Sequence, residues 1–164
     1  FEEKNIDALL DGAMEYVDNQ EFKDLVQEAD VKEVMCAYNR FEGDPCCGSN
    51  RLLTQILRDE WGYKQMVVSD CGAISDFFYK DRHATHKDAA DASAAAVLSG
   101  TDLECGIEYA HLEEAVKKGL ISEERINTSL RRLLKARFEL GEMDDDALVP
   151  IQWIVKPISR WLWM

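Results

Sequence analysis

The chain is short of basic residues and contains no long apolar run. Lysine and arginine number 19 against 32 aspartate and glutamate residues, which gives a net charge of -13. Proteins that bind nucleic acid need a basic surface for the phosphate backbone, so this balance argues against a nucleic-acid partner. No apolar run reaches the ~18 residues of a membrane-spanning helix, which argues against a membrane-embedded protein.

The chain also begins without a methionine and without the pattern of a secretory signal. Its first four residues, Phe1 to Lys4, offer neither a basic region nor an apolar stretch. We therefore expect the true beginning of the protein to be missing. The compartment stays undetermined.

The five cysteines show none of the common spacings. They are Cys36, Cys46, Cys47, Cys71 and Cys105, an odd number without a CxxC pair. This pattern fits neither a disulfide framework nor a zinc site. We expect buried thiols, which behave as small apolar side chains.

The composition of the chain, with 46% hydrophobic and 31% charged residues, is typical of a soluble globular domain. Apolar periodicity predicts helices over residues 22–29, 52–61, 89–98, 112–118 and 123–140. Short apolar runs predict strands over residues 31–38, 66–70 and 101–105. Asn50 and Ser122 are the expected N-caps, and Gly62 and Gly100 are the expected helix stops.

The alternation of these helices and strands predicts an α/β fold with parallel strands. Chemistry in such folds gathers at the carboxyl ends of the strands, where Tyr38, Asp70 and Glu104 lie. Three strands cannot close a barrel, and alone they leave bare edges. The chain is therefore either a small open sheet or part of something larger.

Three segments, in order, carry recognisable motifs. They are residues 34–45, residues 50–74 with Val67-Val68-Ser69-Asp70, and residues 99–106 with Ser99-Gly100-Thr101-Asp102-Leu103-Glu104-Cys105-Gly106. Together with Arg137-Phe138-Glu139-Leu140-Gly141 they resemble the N-terminal barrel domain of glycoside hydrolase family 3, in particular its β-xylosidase and β-glucosidase members. A resemblance this long is far more specific than one short motif.

The resemblance implies a partial (β/α)8 TIM-type barrel, equivalent to about the last three βα units with C-terminal helices. Residues 22–146 would form this partial domain, between a divergent segment at 1–21 and a tryptophan-rich tail at 147–164. The complete protein would be a retaining exo-β-glycosidase acting on a carbohydrate, without metal or cofactor, and periplasmic or secreted. The missing barrel half and second domain would supply the acid/base residue, so this chain alone would be inactive. The rival hypothesis is a non-catalytic remnant that binds sugar or a protein partner.

The resemblance also assigns roles to four residues. Asp70 matches the catalytic nucleophile, although a lone aspartate after a strand is more often a helix cap. Tyr38 matches a tyrosine beside the nucleophile, and Met35 matches a residue of the pocket floor, with ordinary core packing as the alternative. Cys71 replaces an aromatic sugar platform of other branches and favours xylosides over glucosides.

Two further features give weaker indications of a site. Glu104 is a second carboxylate at a strand end, but the family's acid/base residue comes from elsewhere in the protein. His83 and His86 have a ligand-like spacing in a polar loop, which is weak support for a metal site.

Overall fold

The computed structural model of the chain describes residues 20–145, so nearly all of segment 1–21 and the whole tail at 147–164 lie outside the described residues. The α-helices are α1 (Gln20–Gln27), α2 (Ala89–Ser99), α3 (Leu112–Lys117) and α4 (Glu123–Glu139); a π-helix spans Arg51–Glu60. The strands are β1 (Glu33–Cys36), β2 (Arg40–Phe41), β3 (Asp44–Pro45) and β4 (Met66–Ser69). Short 3₁₀ turns lie at Cys46–Gly48, Ser75–Phe77 and Glu108–His111. None of the described helices combines the length and the apolar character needed to cross a bilayer.

The central pairing is parallel, as the alternation of elements predicts. Strand β1 pairs with β4 so that Met35 lies opposite Val68, and Leu103 forms a parallel bridge with Val68 on the other side of β4. The mixed α and β architecture is confirmed. The third strand expected over residues 101–105 is wrong in extent, because only Leu103 makes a bridge to β4.

One face of this sheet packs against the helices. Cys36 and Val67 point into the core, where they meet Leu53 of the π-helix and Ala92 of α2. The opposite face carries Met35, Val68 and Leu103, which are register neighbours and are exposed or half-buried. Met35 is 59% exposed. The sheet is therefore covered on one side only along this row.

The helical conformation around the π-helix already includes Asn50, one residue before Arg51. Asn50 has helical backbone angles and makes no side-chain capping bond. Instead the Ser49 hydroxyl accepts a hydrogen bond from the Leu52 N–H at 3.2 Å. The prediction of Asn50 as the N-cap is wrong, since a cap residue must stand outside the helical conformation. Gly62, with a φ of +76°, ends this segment as expected.

Helix α2 is built for close packing. Its alanines and Ser93 let neighbouring backbones approach, and nearly all of its sides are buried. The Asp88 carboxylate caps its N-terminus by accepting from the Asp91 N–H at 2.9 Å. Gly100 follows with a φ of +121°, a left-handed conformation that favours glycine. Both the helix and its glycine stop confirm the sequence prediction.

Helix α4 is tied to the sheet by a buried ionic network. The Ser122 hydroxyl caps its N-terminus as predicted, accepting from the Arg125 N–H. Arg132 on this helix donates to Asp102 at 2.8 Å, and Arg58 of the π-helix donates to the same carboxylate at 2.7 Å. The Val67 N–H completes the set at 3.1 Å. Asp102, whose side chain is fully buried, thus joins two helices to the start of β4.

The prediction for the cysteines is wrong for four of the five. Cys36 and Cys47 form one disulfide, and Cys71 and Cys105 form a second. Cys46 is a free buried thiol, as predicted. The paired cysteines are 11 and 34 residues apart in the sequence. Spacing alone did not predict these pairs, because each disulfide joins two segments that become neighbours only in the folded chain.

Candidate active site

Asp70 stands at the carboxyl end of β4, where the sheet edge opens. Its N–H donates to the Cys36 carbonyl at 3.0 Å, which continues the parallel pairing one residue beyond the strand. Its carboxylate Oδ1 accepts the Cys71 N–H at 2.7 Å. The side chain is half-buried. It is therefore oriented by backbone groups while part of it stays accessible.

Tyr38 lies beside Asp70, as the resemblance implies. Its hydroxyl donates to the Cys71 carbonyl oxygen. Desolvation raises the pKa of Tyr38, and the negative charge and hydrogen bonding of the Asp70 carboxylate raise it further. The side chain remains 44% exposed. A phenol so placed can donate a hydrogen bond towards a carboxylate or a ligand oxygen.

Met35 does not belong to the core of the described residues. It lies on the open face of the sheet, in the row with Val68 and Leu103. Continuing the alternation of β4 places Asp70 on this same face. Met35 is thus available to a pocket on that side, and its role in substrate binding stays a prediction.

Cys71 is not a free side chain next to Asp70. Its sulfur is bonded to Cys105, which follows the Leu103 bridge on the neighbouring segment. The Gly72 N–H also donates to the Cys105 carbonyl at 2.7 Å. The disulfide therefore ties the loop after Asp70 to the next strand end. Whether Cys71 contacts a sugar stays a prediction.

His83 supports Tyr38 through its ring. Its Nε2 lies 2.7 Å from the Tyr38 carbonyl, and its Nδ1 accepts from Arg40 Nε at 3.2 Å. Arg40 also donates to the His83 carbonyl at 2.6 Å. His86 instead pairs with the Thr85 hydroxyl at 2.9 Å. Among residues 20–145 no group of three possible metal ligands is found. Sequence reasoning missed the bracing role of Arg40, which begins β2, and of His83, which lies in the loop after Asp70.

Glu104 is engaged by backbone groups rather than free. Its two carboxylate oxygens accept the Glu108 N–H at 3.1 Å and the Tyr109 N–H at 2.6 Å. Desolvation raises the pKa of Glu104 to about 7. The carboxylate therefore holds the turn that follows it.

A cavity of about 470 Å³ lies elsewhere in the described residues. It is lined by Thr54, Arg58, Asp59, Tyr63, Lys64, Leu98, Arg125, Thr128 and Arg132. None of these is a candidate site residue. Arg58 and Arg132 converge there on Asp102, which bonds to the start of β4 rather than to its end. The cavity therefore belongs to the end of the sheet opposite Asp70.

Comparison with protein families gives a match to the glycosyl hydrolase family 3 N terminal domain over residues 4–136. The match begins within the segment 1–21, so the domain boundary at residue 22 stays a prediction. A xylan 1,4-beta-xylosidase of Xylanibacter ruminicola is 56% identical over 140 residues, which cover 84% of this chain and 16% of that protein. The beta-D-xylosidase 1 of Arabidopsis thaliana is 39% identical over 127 residues, covering 77% of this chain and 16% of that protein.

Solved structures give the same result. A GH3 exo-beta-xylosidase (XlnD), in complex with a xylobiose aziridine activity-based probe, matches with a TM-score of 0.65 and 35% identity over 70% of this chain and 15% of that one. A beta-glucosidase from Listeria innocua in complex with isofagomine matches with a TM-score of 0.70 and 28% identity over 76% of this chain and 17% of that one. This chain spans about one sixth of the length of these relatives. The family match and the β-xylosidase relatives together show that the chain belongs to glycosyl hydrolase family 3.

Proposed function

We propose that this chain supplies the nucleophile-bearing part of the active site of a retaining exo-β-glycosidase. The complete enzyme hydrolyses terminal β-linked sugars by double displacement, and the chain alone is inactive. The observation that carries the proposal is the position of Asp70. It lies at the carboxyl end of a parallel strand beside the hydroxyl of Tyr38, and the Cys71 N–H orients its carboxylate.

In this mechanism Asp70 attacks the anomeric carbon while a separate carboxylic acid protonates the leaving oxygen. Retaining glycosidases place the two carboxyl groups about 5–5.5 Å apart. The acid/base residue belongs to the rest of the enzyme. Glu104 does not serve because both of its oxygens are held by the N–H groups of the following turn.

The open face of the sheet supports the proposal that this is part of a barrel. All-parallel sheets almost always have both faces covered. Here Met35, Val68 and Leu103 form a row that the described residues leave exposed or half-buried. In a closed barrel this row faces the interior, filled by side chains from the remaining strands. The substrate pocket then forms above it, around Asp70, Tyr38 and Met35.

The preferred substrate is a β-xyloside. The relatives named as xylosidases match at 56% and 39% identity, whereas the Listeria innocua beta-glucosidase matches at 28%. A pocket that discriminates by one methylene-sized group gains about 1–3 kcal/mol, or roughly 10–200-fold. The complete enzyme is therefore expected to turn over an aryl β-xyloside faster than the matching β-glucoside, and equal or faster turnover of the glucoside would contradict this preference.

The role of Asp70 is tested by substitution in the complete enzyme that contains this chain. Asp70→Gly should abolish turnover of an activated aryl β-xyloside. Added azide should restore part of it and yield a glycosyl azide of inverted configuration, because the small anion occupies the space of the lost carboxylate. Asp81→Gly, in the exposed part of the following loop, is the matched control and should keep normal turnover. Near-normal activity of Asp70→Gly would overturn the assignment.

The same assay separates the enzyme from a non-catalytic remnant. The complete protein should hydrolyse the aryl glycoside, and this chain alone should not. General acid assistance is worth about 10²–10⁴ in rate, and the acid/base residue is expected from the part of the enzyme outside this chain. A complete protein that binds xyloside without any turnover would favour the remnant.

A further inference from the structure

The loop that begins at Asp70, called the Asp70 loop below, contacts a second loop formed by residues 104–108. The Cys71–Cys105 disulfide joins them, and the Gly72 N–H donates to the Cys105 carbonyl at 2.7 Å. The Cys105 N–H in turn donates to the Ser69 hydroxyl at 3.1 Å. The position of the Asp70 loop therefore depends on what holds the second loop in shape.

Two carboxylates hold that second loop. Glu104 accepts the N–H groups of Glu108 and Tyr109, and Glu108 accepts the Ile107 N–H at 3.2 Å. The side chains converge over Gly106, where a methyl group would lie 2.8 Å from an oxygen of each. The absence of a side chain at Gly106 thus gives the two acids their common space.

No basic side chain is a hydrogen-bond or ion-pair partner of either acid within the described residues. The groups that face them are the backbone N–H groups already named, the Ser75 hydroxyl from the Asp70 loop and the side chain of Tyr109. Beyond Tyr109 lie the charges of Asp102 and Arg125. Glu108 is only 6% exposed. Two negative charges in so confined a place repel each other strongly, and one shared proton removes that repulsion.

We propose that Glu104 and Glu108 share one proton across a carboxyl–carboxylate hydrogen bond, and that this pair is a positioning element for the nucleophile loop. The inference rests on the proposed role of Asp70. While the proton is present, the turn at Gly106 is closed and the disulfide holds the Asp70 loop against it. When the proton is lost, repulsion loosens the turn, and the Asp70 loop loses its support.

The direction of the pH effect follows from burial. Desolvation, followed by the hydrogen bond that protonated Glu104 donates to Glu108, raises the pKa of Glu104 from its ordinary 4.5 to about 7. The pKa of Glu108 is lowered by Glu104 and by the Ile107 N–H despite desolvation. The folded turn therefore binds a proton that an unfolded glutamate releases. Its stability falls as pH rises from about 4.5 to about 7 and is lowest above that range.

The test is amide hydrogen exchange of the complete enzyme that contains this chain, with both disulfides formed, measured by mass spectrometry at pD 6 and pD 8. The reporter is a peptide over residues 66–77, whose sequence is identical in the wild type and in Glu104→Gln, so intrinsic exchange rates cancel. The Gln side chain imitates the protonated acid. Because part of the stability is already lost at pD 6, we expect the wild type to exchange faster than Glu104→Gln at both values. The ratio between the two should rise roughly tenfold from pD 6 to pD 8, the change that one pKa unit corresponds to. Glu113→Gln, on an exposed face of α3, should match the wild type at both values.

Glu108→Gln provides a second variant, because it leaves at most one negative charge in the pair at any pH. In this variant too, the reporter peptide should not show the faster exchange that the wild type shows at pD 8. The proposal is overturned if the wild type and Glu104→Gln differ by the same factor at both pD values, or if both glutamine variants lose protection at pD 6. Exchange requires no catalysis, so such a failure would leave the assignment of Asp70 standing.

Discussion

Replacing Asp102 by asparagine should destabilise the fold more than any exposed charge substitution. The Asp102 side chain is fully buried and accepts three hydrogen bonds, from Arg58, Arg132 and the Val67 N–H, at 2.7, 2.8 and 3.1 Å. Asparagine removes the negative charge and turns an N–H₂ group towards a guanidinium. The Arg58 side chain, 9% exposed, is then left as a buried cation without a counter-charge.

The expected cost follows from that orphaned charge. Breaking a buried ion pair by removing one partner costs about 3–5 kcal/mol. With a urea m-value of about 1–3 kcal/mol/M, a loss near 4 kcal/mol lowers the unfolding midpoint by roughly 1–4 M. Arg132 adds less because its side chain is 24% exposed and water can replace the lost contact.

Pulse proteolysis of the complete enzyme in urea measures this loss, because the isolated chain is expected to fold poorly or self-associate. Glu113→Gln is the control, since it removes an exposed pair with Lys117 and should leave the midpoint unchanged. A loss below about 1 kcal/mol for Asp102→Asn would refute the reasoning, because it would mean that Arg58 is solvated without its partner.

Three further predictions concern the disulfides, the tyrosine and the isolated chain. Removing the Cys71–Cys105 disulfide by paired serine substitution should cost about 3.8 kcal/mol, against about 2.8 kcal/mol for Cys36–Cys47, because the 34-residue loop gains more entropy than the 11-residue loop when opened. The urea assay would contradict this if the order were reversed. Asp70→Asn should lower the pKa of Tyr38 towards its ordinary value, because it removes the negative charge beside the phenol. The tyrosine ¹³Cζ shift measures this pKa, and an unchanged value would mean that the two side chains do not interact. The isolated chain should fold poorly or self-associate, because its open sheet exposes apolar surface; a monodisperse monomer with a sharp cooperative melt would contradict that.

Local signals predicted the helices and the central strand well. Helix α4 begins at a serine whose hydroxyl caps it, and α2 ends at a glycine with a positive φ. Residues 66–69 form a strand because Met66, Val67 and Val68 favour a buried extended segment. Each of these features depends on a few neighbouring residues, so the sequence alone contains the information.

The features that sequence missed depend on partners far along the chain. The Cys71–Cys105 disulfide exists because β4 and the segment at Leu103 are neighbours in the sheet. The expected third strand is reduced to a single bridge for a similar reason. The length of a strand depends on how many of its residues pair with a neighbouring strand. The N-cap shifted from Asn50 to Ser49 because the helical conformation already includes Asn50.

The candidate site was predictable in outline. A parallel sheet brings the carboxyl ends of β1 and β4 to one edge, which places Tyr38 and Asp70 together. The exposure of Met35 could not be foreseen, because it depends on what covers the other face of the sheet. The bracing of Tyr38 by His83 likewise depends on a loop that folds back over 45 residues.

The most direct test of the central claim is covalent labelling of the complete enzyme with a mechanism-based 2-deoxy-2-fluoroxyloside. The fluorine slows the second displacement, so the glycosyl-enzyme accumulates and the modified peptide can be sequenced by mass spectrometry. The account predicts a single label on Asp70, within the peptide over residues 66–74. A label on Asp102 or Glu104, or on a residue outside this chain, would contradict it.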